Sequence, residues 1–157
     1  MTQSSAAFTS RSPDETARLA TKLGAGLQPG DCVLLEGQIG AGKSHFARAL
    51  ILSRLAEPED VPSPTFTLVQ TYDLPDCELW HADLYRLPDP DQIIELGLLD
   101  AFQSAICLIE WPERLGNLTP DTALSLRFDD PHHNDTREIT LTWTDPSWND
   151  RLQEALS

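Results

Sequence analysis

The chain has 157 residues, a length that favours one domain with a hydrophobic core of its own. Hydrophobic residues make up 40% of it and charged residues 23%, a globular composition that argues against wholesale disorder, collagen and a disulfide scaffold. Acidic residues outnumber basic residues by 25 to 11, which gives a formal net charge of −14. Because nucleic-acid binding takes most of its non-specific affinity from basic side chains on phosphates, this charge argues against a protein that holds DNA or RNA by itself.

The N-terminal part of the chain combines a polar segment with a helix start. Residues 1–11 are small and polar, and we expect a flexible tail in front of a single domain that covers residues 12–157. Ser12, Pro13 and Glu15 supply an N-cap, a proline at the first helical position and the acid of a capping box, which together predict a helix. The tail lacks the apolar core of a signal peptide, and no stretch reaches the about 20 apolar residues of a membrane span. We therefore expect a cytoplasmic protein without membrane contact.

Two continuously apolar runs, at residues 32–36 and 105–110, are typical of strands buried on both faces of a sheet. The first leads directly into a glycine-rich segment, and the second ends in Glu110. Helical patterns follow the first run at residues 46–52 and precede the second at residues 89–102. This order predicts an α/β fold with a parallel core sheet flanked by helices.

Antiparallel hairpins are predicted beside this core. Residues 65–72 and 78–85 are strand-like and are separated by a turn. Residues 124–128 and 139–143 alternate between apolar and polar side chains, as expected of a hairpin with one solvated face. A final helix is expected after Pro146.

Three cysteines, Cys32, Cys77 and Cys107, lie far apart in the chain and include no C-x-x-C pair. We interpret them as buried structural thiols of a reducing compartment, in preference to metal or redox groups.

The glycine-rich segment, residues 37–44, reads G-Q-I-G-A-G-K-S and matches the pattern G-x-x-x-x-G-K-[ST] between a buried strand and a helix. The glycines let the backbone curl so that successive N–H groups point at phosphate oxygens, and the helix adds its positive N-terminal end. The lysine would reach the β- and γ-phosphates of a nucleotide, and the serine hydroxyl would bind Mg²⁺. A plain strand-to-helix turn is the alternative. The residues expected to bind the nucleotide here are Gly37, Gly40, Ala41, Gly42, Lys43, Ser44 and His45.

Two carboxylates on predicted strands are candidates for metal and water chemistry. Glu110 ends a buried strand at the sheet edge where nucleotides bind in open α/β folds, so it is a candidate Mg²⁺ ligand. Asp83 lies beside His81 and Tyr85 on the polar face of an alternating strand, where it could orient or deprotonate an attacking water. A solvated strand end and a surface strand residue, respectively, are the alternatives.

Three further motifs follow the glycine-rich loop in a fixed order. They are S-P-T-F-T-L-V at residues 63–69, H-A-D-L-Y-R-L at residues 81–87 and I-E-W-P at residues 109–112. With the loop, this set resembles the TsaE family, also called YjeE, the small ATPase of bacterial tRNA threonylcarbamoyladenosine biosynthesis. The resemblance runs from about residue 12 to residue 111 and is looser in the final hairpin.

This resemblance implies roles for individual residues. Ser44 and Glu110 would serve Mg²⁺, and Asp83 would be needed for hydrolysis of ATP. Thr65 would act as a switch residue near the γ-phosphate, and Lys43 would be one of the catalytic residues. Trp111 would lie by the nucleotide, although it could equally be a packed aromatic side chain.

The resemblance also implies ATP and Mg²⁺ as cofactors and TsaB- and TsaD-like proteins as partners. Transfer of the threonylcarbamoyl group would belong to the partner, and tRNA would be reached only indirectly. The net charge of −14 agrees with this division, because a strongly negative subunit repels tRNA unless a basic partner mediates. Hydrolysis is then expected to be weak without partners.

Three positions depart from the pattern of the family. Gln38 stands where the family usually has Asp, so a charge-based role there is in doubt. Ser44 replaces the commoner Thr and keeps the hydroxyl, and His45 replaces a usual Thr, which could alter contacts to the α-phosphate.

Two other kinds of function remain as alternatives to the ATPase. A small-molecule P-loop kinase would need an acceptor pocket and an arginine-rich lid, and the segment between Arg86 and Arg114 has no such cluster. A GTPase or a nucleotide-gated binding module without turnover is the third possibility. The guanine-reading motif N-K-x-D is absent from the sequence, which favours ATP.

Overall fold

One seven-stranded sheet forms the centre of the fold. The computed structural model describes residues 2–38, 40–64, 67–87, 89 and 91–157. The strands within these residues are β1 (Ser4–Ser10), β2 (Cys32–Gly37), β3 (Val69–Asp73), β4 (Glu78–Asp83), β5 (Ile106–Glu110), β6 (Leu124–Asp129) and β7 (Arg137–Trp143). The helices are α1 (Pro13–Ala25), α2 (Lys43–Arg54), α3 (Gln92–Glu95), α4 (Leu98–Ser104) and α5 (Trp148–Ala155), with a 3-10 helix at Pro112–Leu118.

The strand order in the sheet is β1-β7-β6-β2-β5-β4-β3. The four central strands run parallel, since β2 pairs in parallel with both β6 and β5, and β5 pairs in parallel with β4. Antiparallel pairs complete both ends of the sheet, as β6 with β7, β7 with β1, and β4 with β3. The predicted α/β fold, with a parallel core and added hairpins, is confirmed.

The N-terminal segment corrects the predicted flexible tail. Ser4–Ser10 forms β1, which pairs with β7 from Ser4 opposite Trp143 to Ser10 opposite Arg137. Its residues alternate in burial, and Phe8 packs against the core. The segment contains small and β-compatible residues but no apolar run, so the sequence alone does not predict a strand there. The strand forms because β7 has an unpaired edge to which it can bond.

The start of α1 agrees with the predicted cap. The Ser12 hydroxyl accepts a hydrogen bond from the Glu15 N–H at 3.1 Å, and the Glu15 carboxylate accepts one from the Arg11 N–H at 2.6 Å. The predicted helix near residues 89–102 consists of α3 and α4, separated at Gly97, whose φ of 84° interrupts the helix. No helix among the described residues is long and apolar enough to cross a membrane.

Hydrophobic side chains cover both faces of the sheet. On β2, Val33 and Leu35 face a cluster formed with α1, α2 and α5, while Cys32 and Leu34 face a cluster formed with α3 and α4. This two-sided burial is the reason for the continuously apolar sequence of β2. Cys32 and Cys107 are buried free thiols as predicted, whereas the free thiol of Cys77 is only half-buried.

The end of β2 lies against β6 so closely that only glycine fits at position 37. Gly37 is opposite Phe128 in the register, has a φ of 139°, and would place a Cβ 2.6 Å from the Phe128 carbonyl oxygen. A side chain there would push the phosphate-loop segment away from the sheet or break the β2–β6 pairing.

We therefore predict that Gly37→Ala lowers the free energy of unfolding by about 2 kcal/mol, in the range measured for overpacked sites with strained backbone. Gly26→Ala is the matched control, because a Cβ at Gly26 would come no closer than 3.8 Å to a neighbouring atom and its φ is −95°. Urea unfolding of both variants measures the difference. Equal midpoints for the two variants would contradict the role given to Gly37.

Candidate functional site

The segment between β2 and α2 forms a curled loop with two left-handed glycines. Gly40 has a φ of 83° and Gly42 a φ of 108°, conformations that L side chains avoid. Gly42 is also the N-cap residue of α2 and has no side chain that could cap the helix. No N-cap side chain therefore accepts a hydrogen bond from the N–H groups of the first helical turn. Ile39 lies outside the described residues.

A cavity of about 460 Å³ opens beside this loop. It brings together eight of the sequence-predicted site residues and two polar neighbours from the turn after β4. The lining residues are Gly40, Gly42, Lys43, Ser44, His45, Asp83, Tyr85, Arg86, Glu110 and Trp111.

Strand register explains why the acidic residues meet. Glu110 at the end of β5 is opposite Leu35 on one side and Asp83 at the end of β4 on the other. Parallel strands finish at the same edge of a sheet, so the ends of β2, β5 and β4 supply the loop and both carboxylates to one place.

The Glu110 carboxylate links the loop to β4. Its Oε1 accepts a hydrogen bond from the Ser44 hydroxyl at 3.0 Å, and its Oε2 lies 2.6 Å from Nε2 of His81. The Glu110 and His81 side chains are each only 2% exposed. The hydroxyl and the carboxylate predicted to bind Mg²⁺ are therefore adjacent, and a buried imidazole holds the second carboxylate oxygen.

Asp83 is buried at the cavity wall, and the alternative of a surface strand residue is wrong. Its side chain is 6% exposed, and Oδ1 accepts a hydrogen bond from the Tyr85 N–H at 3.0 Å. The Asp83 N–H donates to the carbonyl of Leu68 at 2.9 Å. Thr65, the predicted switch residue three positions before Leu68, lies outside the described residues.

The Lys43 ammonium group is folded back onto the protein. Nζ donates to the Gly37 carbonyl at 2.5 Å and lies 3.6 Å from the centroid of the Trp111 ring. Burial lowers the pKa of Lys43, and the carboxylates of Glu110 and Asp83 act in the opposite direction. A phosphate group that enters the cavity would have to draw this ammonium away from the carbonyl and the ring.

Trp111 forms one wall of the cavity directly after Glu110. Its ring is tilted by 43° against the Tyr85 ring at a centroid distance of 4.8 Å. Its backbone is left-handed, with a φ of 59°, which is unusual for a bulky residue. The aromatic side chain therefore contacts the predicted phosphate-binding lysine and also packs against core residues.

A second, smaller cavity of about 240 Å³ lies next to the same loop. It is lined by Pro13, Thr16, Gly40, Gly42, His45, Asp135 and Arg137. Nε2 of His45 lies 2.9 Å from the Pro13 carbonyl oxygen, so this side chain connects α2 to the start of α1. Ala41 is buried, and its carbonyl accepts a hydrogen bond from Arg137 at 3.0 Å.

Two residues of this site have roles that the sequence does not predict. The sequence indicates His81 only as a neighbour of Asp83, although the H-x-D spacing places its side chain on the same strand face as the aspartate. Arg137 lies 96 residues away from the loop in the chain, and no local sequence pattern predicts such a contact.

The residues present fit a Mg-nucleotide. A curled glycine loop, a helix N-terminus and an ammonium group suit phosphates, and an adjacent hydroxyl and carboxylate suit Mg²⁺. Within the described part of the chain, no group of three or more His, Cys, Asp or Glu side chains is arranged to hold a metal ion. Water and phosphate oxygens would therefore complete the coordination of Mg²⁺, as is usual for this ion.

A phosphate loop between a buried parallel strand and a helix, with an acid at the end of the next strand, defines the P-loop nucleoside triphosphatase class of folds. The sequence profile of the family described as "Threonylcarbamoyl adenosine biosynthesis protein TsaE" matches residues 10–139. The chain belongs to the TsaE family, and its role lies in the biosynthesis of threonylcarbamoyladenosine in tRNA. Fold and family together indicate a nucleotide-binding enzyme.

Individual relatives agree with this assignment. The chain is 43% identical over 109 residues to the tRNA threonylcarbamoyladenosine biosynthesis protein TsaE of Rickettsia bellii, covering 69% of this chain and 76% of that protein. It is 36% identical over 135 residues to the protein of the same name from Treponema pallidum, covering 84% and 96%. The crystal structure of Bacillus subtilis YdiB superposes with a TM-score of 0.81 at 28% identity, covering 99% of this chain and 96% of YdiB.

Proposed function

We propose that the protein is a Mg²⁺-dependent ATPase subunit of the tRNA threonylcarbamoyladenosine machinery. It would act on an assembly of TsaB- and TsaD-like proteins in the cytoplasm and would not act on tRNA directly. The observation that carries the proposal is the 3.0 Å contact between the Ser44 hydroxyl and the Glu110 carboxylate, at the first turn of the helix that follows the phosphate loop. That pair has the chemistry of a Mg²⁺ site beside a polyphosphate.

Each residue of the cavity has a distinct task in this proposal. The loop N–H groups bind the β- and γ-phosphate oxygens, and Lys43 leaves the Gly37 carbonyl to pair with them. Ser44 and Glu110 hold Mg²⁺, which, when bound, neutralises charge on the phosphates. His81 keeps the Glu110 carboxylate in one orientation through its 2.6 Å contact.

Asp83 is proposed to act on the water. Its buried carboxylate lines the same cavity as Lys43 and lies beside Glu110 in the strand register. There it can accept a hydrogen bond from a water and orient an oxygen lone pair toward the γ-phosphorus. The water oxygen forms the new bond to the γ-phosphorus and gives a proton to the Asp83 carboxylate, which releases it to solvent. The bond between the γ-phosphorus and the β–γ bridging oxygen breaks with its electron pair on that oxygen, and ADP and inorganic phosphate result. Thr65 is proposed to sense the γ-phosphate.

The two cavities suggest how a nucleotide would lie. The larger cavity holds the metal and water groups, so it suits the γ-phosphate end. The smaller cavity shares Gly40, Gly42 and His45 with the larger one and suits the α-phosphate end of the polyphosphate. Trp111 would then lie by the phosphates, where its ring faces Lys43.

Charge and exposure support a partner protein that mediates contact with tRNA. At a formal charge of −14 the protein is repelled by tRNA, so contact with the substrate requires a less acidic partner. Tyr85, 41% exposed, lies at the larger cavity and is available for such a partner. The three free thiols agree with a reducing cytoplasm.

Lys43→Ala and Asp83→Asn separate binding from hydrolysis. We expect Lys43→Ala to weaken ATP binding at least tenfold, because the ammonium group that lines the cavity is lost, whereas Asp83→Asn should retain ATP binding and lose at least 90% of hydrolysis. Calorimetric titration with ATP and release of phosphate measure the two effects.

Lys22→Ala and Asp76→Asn are the matched controls for this pair. Lys22 is the second lysine of the chain and contacts the Ser157 carbonyl, and the Asp76 side chain is 53% exposed near Arg54. Equal losses of ATP affinity in Lys43→Ala and Asp83→Asn would contradict the separation of roles.

Glu110→Gln tests the metal site. The amide can still accept the Ser44 hydrogen bond but carries no charge, so the Mg²⁺ concentration for half-maximal hydrolysis should rise about tenfold or more. Glu78→Gln, at the exposed opposite end of β4, should leave it unchanged. An unchanged Mg²⁺ requirement in Glu110→Gln would remove Glu110 from the metal site.

The partner hypothesis predicts that hydrolysis by the isolated chain is slow and rises when TsaB- and TsaD-like proteins are added. Phosphate release with and without these proteins measures the effect, and Asp83→Asn should still join the assembly without hydrolysing ATP. An isolated chain whose hydrolysis does not respond to the partners, and which fails to co-elute with them, would reject this part of the proposal.

A further inference from the structure

Arg137, the first residue of β7, reaches across to the phosphate loop. Its Nε donates to the Ala41 carbonyl at 3.0 Å, and its Nη2 donates to the Gly40 carbonyl at 3.4 Å. The guanidinium group therefore holds two successive peptides of the loop. The glycines of this loop have no side chains whose contacts could orient these peptides.

The β6–β7 turn holds the guanidinium group in place from the other side. Nη1 donates to the carbonyls of Asn134 and Thr136, the latter at 3.0 Å, and lies 3.3 Å from a carboxylate oxygen of Asp130. The Arg137 side chain is only 19% exposed. A planar, multiply bonded guanidinium loses little further freedom on binding, which makes it a rigid support.

Peptide geometry connects this support to phosphate binding. In a trans peptide the C=O and N–H bonds point in opposite directions. The Ala41 carbonyl points at Arg137, so the Gly42 N–H of the same peptide points to the opposite side. The preceding peptide has its N–H already bonded, since the Ala41 N–H donates to the Gln38 carbonyl at 3.1 Å. Gly42 tolerates both signs of φ, and without Arg137 its peptide could turn over at low cost.

We infer that Arg137 is a positioning residue that keeps the Ala41–Gly42 peptide in the orientation needed to bind the polyphosphate of the nucleotide. This inference rests on the proposed nucleotide binding and gives the β6–β7 hairpin a function. The hairpin supports the loop through the main-chain carbonyls of Gly40 and Ala41, whereas Lys43, Ser44 and Glu110 line the larger cavity.

The test compares a base-free probe with a nucleotide. Dissociation constants for tripolyphosphate and for ADP, both with Mg²⁺, are measured by calorimetry for the wild-type chain and for Arg137→Gln and Arg137→Lys. We expect both constants to rise by the same factor, about tenfold in Arg137→Gln, as for loss of a hydrogen bond from a charged donor. A rise of about threefold is expected in Arg137→Lys, whose ammonium cannot serve both carbonyls as a planar fork does.

Arg127→Gln is the matched control, on the neighbouring strand β6. The Arg127 side chain is 66% exposed and lies 3.5 Å from Asp129, so both dissociation constants should stay at the wild-type values. Thermal unfolding of each variant separates the effect from a general loss of fold. If Arg137→Gln does not fold, Arg137→Lys is judged by the same criterion.

The outcomes are distinguishable. Wild-type affinity for tripolyphosphate in a folded Arg137 variant overturns the inference. So does a loss for ADP alone, because it would mean that Arg137 contacts the nucleoside. If the wild-type chain binds neither probe, the proposed nucleotide binding fails before the role of Arg137 is tested.

Discussion

Parallel pairing of β5 with β2 and β4 is the constraint on which the site depends. Neighbouring strands lie about 4.8 Å apart, so the register that sets Glu110 opposite Leu35 and Asp83 brings both carboxylates to the end of the strand that continues into the phosphate loop. A shift of one residue would turn the carboxylates to the other face of the sheet. β2 is buried on both faces, with Val33 on one and Leu34 on the other, so its pairing with β5 lies within the core.

The site concentrates buried polar groups that would destabilise a fold if they were unpaired. Lys43, His81, Asp83 and Glu110 are all at most 6% exposed. Each makes at least one named contact in the structure, which offsets part of the cost of removing these groups from water, although Nδ1 of His81 has no hydrogen-bond partner among the described residues. The Lys43 contacts with a carbonyl and an aromatic ring are exchangeable, so the same ammonium can stabilise the ligand-free fold and later pair with a phosphate.

Strained backbone conformations also lie next to these buried polar groups. Leu68 and Trp111, both large, have φ values of 67° and 59°. The Leu68 carbonyl accepts a hydrogen bond from the Asp83 N–H, and Trp111 directly follows Glu110. Left-handed conformations of bulky residues persist only where surrounding contacts over-determine them, which is typical of functional sites. Leu68 and Trp111 set the direction of the backbone next to Asp83 and Glu110. Gly40 and Gly42 also have positive φ values, but glycine adopts them without strain, so the loop can curl.

The sequence by itself determined what depends on neighbouring residues. The phosphate loop, the cap at Ser12, the interruption at Gly97 and the double-sided burial of β2 are local signals, because spacing and side-chain type are sufficient for them. Tertiary structure alone decided that Ser4–Ser10 completes the sheet, that β6 lies parallel to β2, and that His81 and Arg137 support Glu110 and the loop. These depend on which strands become neighbours, and contacts across 29 and 96 residues leave no periodic trace in the sequence.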